Sequence, residues 1–263
     1  MFTRPILRYL AIAFGFTWVV AFVILFLHHR GFIGTPIRDL LHALPALGPA
    51  IGAFFVIPDR RYWARCLRFT RTKPVEWLIV LSPLLFLVVG LFVFRISKSQ
   101  AFNWGQFLNT TFASPLLTIN FFLPLFTYGF FEEIGWRGFL LPQLQQHFNA
   151  WKSTFLLTII WGIWHLPFFF YRFEFSWFIS IGFFFGLWIG AIILTHLLNQ
   201  NRGILWFGVA FHFLNNLASA IEKEITVMVL SVGFMVLALW IVWRFGRTNL
   251  STSTRYTASN ADV

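Results

Sequence analysis

Apolar runs of about the length that crosses a bilayer, separated by short clusters of charge, Gly or Pro, make up most of the chain. About 30 Å of hydrocarbon takes roughly 20 helical residues to cross. Eight such runs can be drawn, at 9–27, 40–57, 75–94, 114–131, 151–170, 177–198, 204–220 and 225–243. Pro45 and Pro49 interrupt the second, and Pro115 and Pro124 the fourth, so kinks or broken turns are expected there. Gly182, Gly186 and Gly190 recur every four residues and predict a small-residue stripe for helix packing on the sixth run. After Arg247 the Ser-, Thr- and Asn-rich sequence loses apolar periodicity, and 246–263 is expected to be a disordered tail.

Composition turns this pattern into a fold class. Hydrophobic residues make up 58% of the 263 and charged residues 11%, against a usual charged share of about 25%, and the mean hydropathy is +0.74. Aromatic residues alone reach 21%, more than one water-soluble core can bury. The expectation is an all-α polytopic membrane protein with about eight transmembrane helices around a polar intramembrane cavity. The first run is read as a retained span, since no small-residue cleavage site follows it. A net charge of +11 raises nucleic acid as a partner, but the basic residues mostly sit between apolar runs, which the positive-inside rule explains. The lipid bilayer, not nucleic acid, is therefore the expected partner. With most Lys and Arg on one side, and the 59–73 segment dominating, both termini are placed in the cytoplasm and the protein in the bacterial inner membrane. Cys66, a single cysteine, excludes an intrachain disulfide.

Against this background a few polar residues are conspicuous. Between Trp77 and Arg172 the only acids are Glu132 and Glu133, in Phe130-Phe131-Glu132-Glu133-Ile134-Gly135-Trp136-Arg137. Intramembrane acids are costly and usually face a partner or a functional cavity. On a helix Glu133 and Arg137 lie about 40° apart and can pair, while Glu132 points elsewhere. Were the fourth run to end near Phe131, the two acids would sit close to the interface. His165, in Trp161-Gly162-Ile163-Trp164-His165-Leu166-Pro167, and His212 with Asn216, on one face of the seventh run, complete the set. Singly each has a bland reading as a packed, hydrogen-bonded residue. Glu132, His165 and His212 meet only if three runs surround one polar site. That site would suit either of two hydrolytic chemistries: ligands of zinc or another divalent metal that activates water, or a glutamate base with His and Asn polarising a carbonyl.

Glu132-Glu133-x-x-x-Arg137, Trp161-x-x-x-His165 and His212-x-x-x-Asn216 resemble, in order and spacing, the three motifs of the CAAX protease and bacteriocin-processing (Abi) family of intramembrane endopeptidases, which includes type II CAAX prenyl endopeptidases. Trp161 stands where that family more usually has Phe, a change expected to be absorbed by wall packing. The resemblance implies a catalytic region at 121–220 between an N-terminal membrane region at 1–120 and a last helix at 221–245. It also implies a catalytic set of Glu132, Glu133, Arg137, His165, His212 and Asn216. Glu132 would activate water, Glu133 with Arg137 would order the site, and His212 with Asn216 would ligate or form an oxyanion hole. Glu132, His165 and His212 are the metal ligands if a metal is used. The implied substrate is a membrane-associated or lipidated peptide, with bacteriocin maturation or immunity as further family roles. Two other classes use the same residue types. A non-catalytic immunity or binding protein would be expected to lose Glu132 or a histidine first, and a proton-coupled transporter to show an inverted repeat. The motifs are intact and no such repeat is visible.

Overall fold

A computed structural model describes residues 3–70, 72–172 and 177–259, with only the backbone at 177–180. Arg71, one of the basic residues of the 59–73 segment, lies outside the described residues. The described chain is helical throughout, without strands. Its elements are α1 (Arg4–His29), α2 (Thr35–Leu41), α3 (Leu47–Val56), α4 (Arg60–Cys66), α5 (Pro74–Lys98), α6 (Trp104–Thr111) and α7 (Pro115–Thr127). After α7 come a π-helical turn (Tyr128–Glu132), α8 (Glu133–Gly135), a second π-helical turn (Trp136–Leu140) and α9 (Leu141–Gln145). Then follow α10 (Ala150–Trp164), a 3-10 turn (Leu166–Phe170), α11 (Trp177–Gln200), α12 (Trp206–Ile221) and α13 (Ile225–Asn249). Side-chain caps start several of them, Asp59 for α4, Ser114 for α7 and Asn149 for α10, each accepting from a first-turn N–H.

Five helices are long and apolar enough to cross a membrane, and a sixth span results if the bent pair Trp104–Thr111 and Pro115–Gln145, at 99°, is counted as one. The expected count of eight is not reproduced. The 40–57 run divides into α2 and the ten-residue α3, because Pro45 and Pro49 interrupt it. The 204–220 run is α12, 16 residues or about 24 Å long. The 114–131 run does not stop at Phe131. Its helix continues to Gln145, so the two glutamates lie inside the bundle and not at its rim.

Helix-interrupting prolines leave carbonyls without their usual donors, and water is not at hand in a bilayer to replace them. Three of these carbonyls are met by hydroxyls. Pro49 offers no N–H to Pro45, whose oxygen accepts from Thr17 on α1 at 2.7 Å. Pro83 offers none to Ile79, whose oxygen accepts from Ser82 at 2.7 Å. Pro142 offers none to Gly138, whose oxygen accepts from the Tyr62 hydroxyl on α4 at 2.5 Å. Burial pushes the Tyr62 phenol far above its ordinary range, so it remains a donor at any working pH.

Close approach is built on small residues elsewhere than expected. A Cβ at Gly48 or Gly52 would collide with α1 at Ala13, Thr17 and Tyr9, and one at Gly135 would collide with Pro49. Added Cβ atoms at Gly182, Gly186 and Gly190 meet nothing within 4 Å among the described residues, so that stripe is not a packing seam here.

The tail is also not disordered over its described part. Gly246, at φ +72°, bends α13, and residues 250–259 fold back onto the bundle. Gln145 and Asn199 exchange amide hydrogen bonds at 2.9 Å. The same amides hold the Tyr256 carbonyl at 2.7 Å, the Tyr256 N–H at 2.9 Å and the Asn249 carbonyl at 2.8 Å. Leu250 is fully buried, and its carbonyl bonds the His196 ring, whose other nitrogen meets Glu76 at 3.1 Å. Polar side chains on α5, α9 and α11, with no periodicity in the tail itself, do the anchoring. Residues 260–263 lie outside the described residues. The boundary expected at 121 falls inside α7, with no linker there.

Tyr62→Phe should leave the Gly138 carbonyl buried and unpaired, at a cost of about 1–3 kcal/mol, read as a lower midpoint of thermal unfolding in detergent micelles. An unchanged midpoint would mean that water reaches that carbonyl.

Candidate active site

The site is assembled by the π-interrupted helix from α7 to α9, by the C-terminal end of α10 and by α12. π-helical turns occur mostly singly and often at functional sites; here one ends on Glu132 and a second begins three residues after Glu133. Glu132, Glu133 and Arg137 are essentially without exposed surface. The pairing expected from the four-residue spacing is present, with Arg137 Nη1 donating to Glu133 Oε1 at 3.0 Å. The same oxygen receives His212 Nδ1 at 2.9 Å. Glycines let α12 come this close. A Cβ at Gly208 would stand 3.2 Å from Glu133 Oε2, and one at Gly129 would stand 3.0 Å from the Phe213 backbone nitrogen.

Glu132 has no ion-pair partner among the described residues. Its Oε2 accepts from two indole N–H groups, Trp136 Nε1 at 3.1 Å and Trp161 Nε1. Its Oε1 accepts no hydrogen bond among the described residues. Indole nitrogen only donates, so both contacts favour the carboxylate form. Trp161 also meets Arg137 and both histidines of the site. Arg137 stacks over its ring at 4.4 Å, its carbonyl meets His165 Nδ1 at 2.8 Å, and its ring lies 5.9 Å from that of His212.

Both histidines are oriented through Nδ1. A carbonyl and a carboxylate only accept, so neutral His165 and neutral His212 carry their proton on Nδ1 and present a bare Nε2. Both rings are nine-tenths buried. Asn216 sits one turn beyond His212, half-buried and without a hydrogen-bond partner among the described residues. Two imidazole nitrogens and a carboxylate are metal-ligand types. Among the described residues, however, no three His, Cys, Asp or Glu side chains are grouped so that they could hold an ion. The expected ligand set Glu132, His165 and His212 therefore does not form a metal cage in this arrangement.

Trp136 and Trp161 as donors to Glu132 are what sequence reasoning missed. The signal was present, since Trp136 follows Glu132 by the same four residues that join Glu133 to Arg137. Two of the other histidines have partners of their own, His42 with Tyr171 at 2.8 Å and His196 with Glu76.

Residues 114–218, which carry all three motifs, match the family described as type II CAAX prenyl endopeptidase Rce1-like. Over 183 residues the chain is 30% identical to a protein of Methanococcus maripaludis named CAAX prenyl protease 2, a match covering 66% of each chain. The chain belongs to the Rce1-like family. In this Rce1-like chain the family match covers the site-bearing helices, α7 to α12, while α1 to α6 and α13 lie outside it. The chain spans about two thirds of the length of that curated relative.

Arg137→Met should strand a buried carboxylate at Glu133 and cost about 3–5 kcal/mol. The double variant Glu133→Gln, Arg137→Met should recover most of the loss in thermal unfolding. Equal destabilisation in single and double variants would show that the guanidinium acts by packing on Trp161 and not by charge.

Proposed function

We propose that the chain is an intramembrane endopeptidase that hydrolyses a peptide bond of a lipidated, membrane-associated peptide, with Glu132 as the base. The observation that carries this is the state of Glu132: one oxygen fixed by two indole donors, the other unpartnered, beside two imidazoles that each present a bare nitrogen. Family membership and the name of the relative support a protease. A prenylated CAAX-type carboxyl terminus is the substrate class this points to, and the basic end of the bundle would face the cytoplasm, in the bacterial inner membrane.

Glu132 Oε1 takes a proton from a water molecule whose oxygen attacks the scissile carbonyl carbon. The carbonyl oxygen gains negative charge, and Asn216, a half-buried amide without a partner, supplies an N–H to it. Glu133, clamped by Arg137, fixes the His212 ring through its Nδ1 proton. As the C–N bond breaks, Glu132 returns the proton to the leaving amine. His165 Nε2 accepts a hydrogen bond from the attacking water and aims its lone pair. No step passes through a metal ion.

An apolar groove of about 620 Å³ runs along α1, lined by Phe14, Gly15, Trp18, Val19, Phe22, Val23 and Phe26. Trp18 Nε1 bonds the carbonyl of Trp164, the residue before His165, at 3.2 Å. The groove therefore adjoins the site and gives an isoprenoid chain an apolar track.

Glu132→Gln should abolish cleavage of a farnesylated peptide by the detergent-purified protein while the fold is retained. Trp161→Phe removes one donor to a charged acceptor, worth about 1.5–3 kcal/mol, and should lower kcat about tenfold to a hundredfold with KM little changed. A changed KM with intact kcat would make Trp161 a wall residue only. Gly15→Leu, whose Cβ meets nothing within 4 Å, should raise KM for farnesylated peptide and spare the unprenylated one; equal effects on both would remove the groove from substrate binding.

A further inference from the structure

Charge placement explains why the 59–73 segment is basic, but not why its cations surround a cavity. A cavity of about 1050 Å³ opens where residues 65–70 and 72–73, the turn at 200–204 after α11 and the 252–256 part of the tail meet. Arg65, Arg68, Lys73 and Arg202 line it, and among the described residues no Asp or Glu does. Arg68, Lys73 and Arg202 make no ion pair with any described residue. The walls are tied to one another. Thr72 donates to Asn201 at 2.5 Å, and Thr252 donates to Gln200 Oε1 from both its N–H and its hydroxyl at 3.0 Å. Like charges converging on a concave surface repel one another until an anion enters.

Beside the cavity, Phe69 is 83% exposed and stacks on Trp206 with ring centroids 4.9 Å apart. An exposed aromatic ring next to Arg and Lys at the end of a membrane bundle suits the boundary between headgroups and acyl chains. A soluble phosphate would use the cations but not the ring. We propose that this cavity holds the phosphate of an anionic phospholipid headgroup, with Phe69 at the level where its acyl chains begin. Arg forks and the Lys ammonium suit phosphate oxygens. The site also touches the catalytic helix. Trp206 Nε1 donates to the Leu67 carbonyl, and Leu205 N to the Cys66 carbonyl at 2.9 Å, so the loop holding the headgroup is bonded to the start of α12, which carries His212.

The test is retention of phosphatidylglycerol against phosphatidylcholine by the full-length protein in native mass spectrometry. Wild type should keep phosphatidylglycerol selectively. The variant Arg68→Gln, Lys73→Gln, Arg202→Gln should lose about tenfold or more of that binding. The control Arg60→Gln, Arg61→Gln, Arg244→Gln removes the same charge from residues outside the cavity and should lose little. Arg202→Gln alone, at an exposed position, should show a smaller loss in the same direction with an unchanged unfolding midpoint. Equal losses in the cavity and control variants would overturn the site in favour of a diffuse field. Equal retention of phosphatidylcholine would overturn the anion selectivity. Displacement of phosphatidylglycerol by inorganic phosphate, but not by chloride at matched ionic strength, would reassign the cavity to soluble phosphates and overturn the lipid.

Discussion

A carboxylate at Glu133 with no exposed surface is the constraint around which the site is organised. Its charge is tolerable only because a guanidinium four residues along the same helix and an imidazole from another helix both reach one of its oxygens. Meeting that demand fixes much else. It requires glycine at 208 so that α12 can approach, turns the His212 ring so that its free nitrogen faces away from Glu133, and brings Arg137 over the Trp161 ring. Trp161, held by that stack, then fixes both Glu132 and His165. The neutralised glutamate takes up the guanidinium and the imidazole, and its neighbour is left to the two indoles.

How much of this was legible in the sequence depends on the range of the interaction. Glu133 with Arg137 was readable because helical periodicity alone puts them on one face. All-α membrane character was readable because composition is a property of the whole chain. The number of spans was not, because Pro45 and Pro49 cut one apolar run into pieces, whereas α7 to α9 pass the glutamates without stopping. Trp161 looked like a bulky stand-in for Phe by size, and its N–H matters only once Glu132 on another helix is seen beneath it. The tail looked disordered because its own residues are polar and aperiodic. Its order comes from Gln145, Asn199 and His196, side chains more than fifty positions away in sequence.

Among the described residues two buried carboxylate–imidazole pairs occur, and they differ in what surrounds them. Glu133 with His212 has an adjacent guanidinium and a second carboxylate nearby, and the far nitrogen of its ring is left bare. Glu76 with His196 spends both ring nitrogens, one on the glutamate and one on the Leu250 carbonyl. The first arrangement keeps a lone pair in reserve and the second does not, so the same two residue types leave a nitrogen open in one place and are fully spent on anchoring in the other.

The hydroxyls that meet proline-freed carbonyls bear on how the protein enters the bilayer. The Pro45 carbonyl, which also accepts from the Gly48 N–H at 3.1 Å, finds its hydroxyl on α1, and the Gly138 carbonyl finds its hydroxyl on α4, both distant in sequence. A segment carrying such a carbonyl is poorly soluble in lipid until the partner helix is beside it. The ten-residue α3, too short to span alone, therefore gains this hydroxyl only beside α1, and the helix bearing the glutamates gains its own only beside α4. Biogenesis of this bundle is then a matter of pairing, in which the helices that have to meet are set by where the hydroxyls lie.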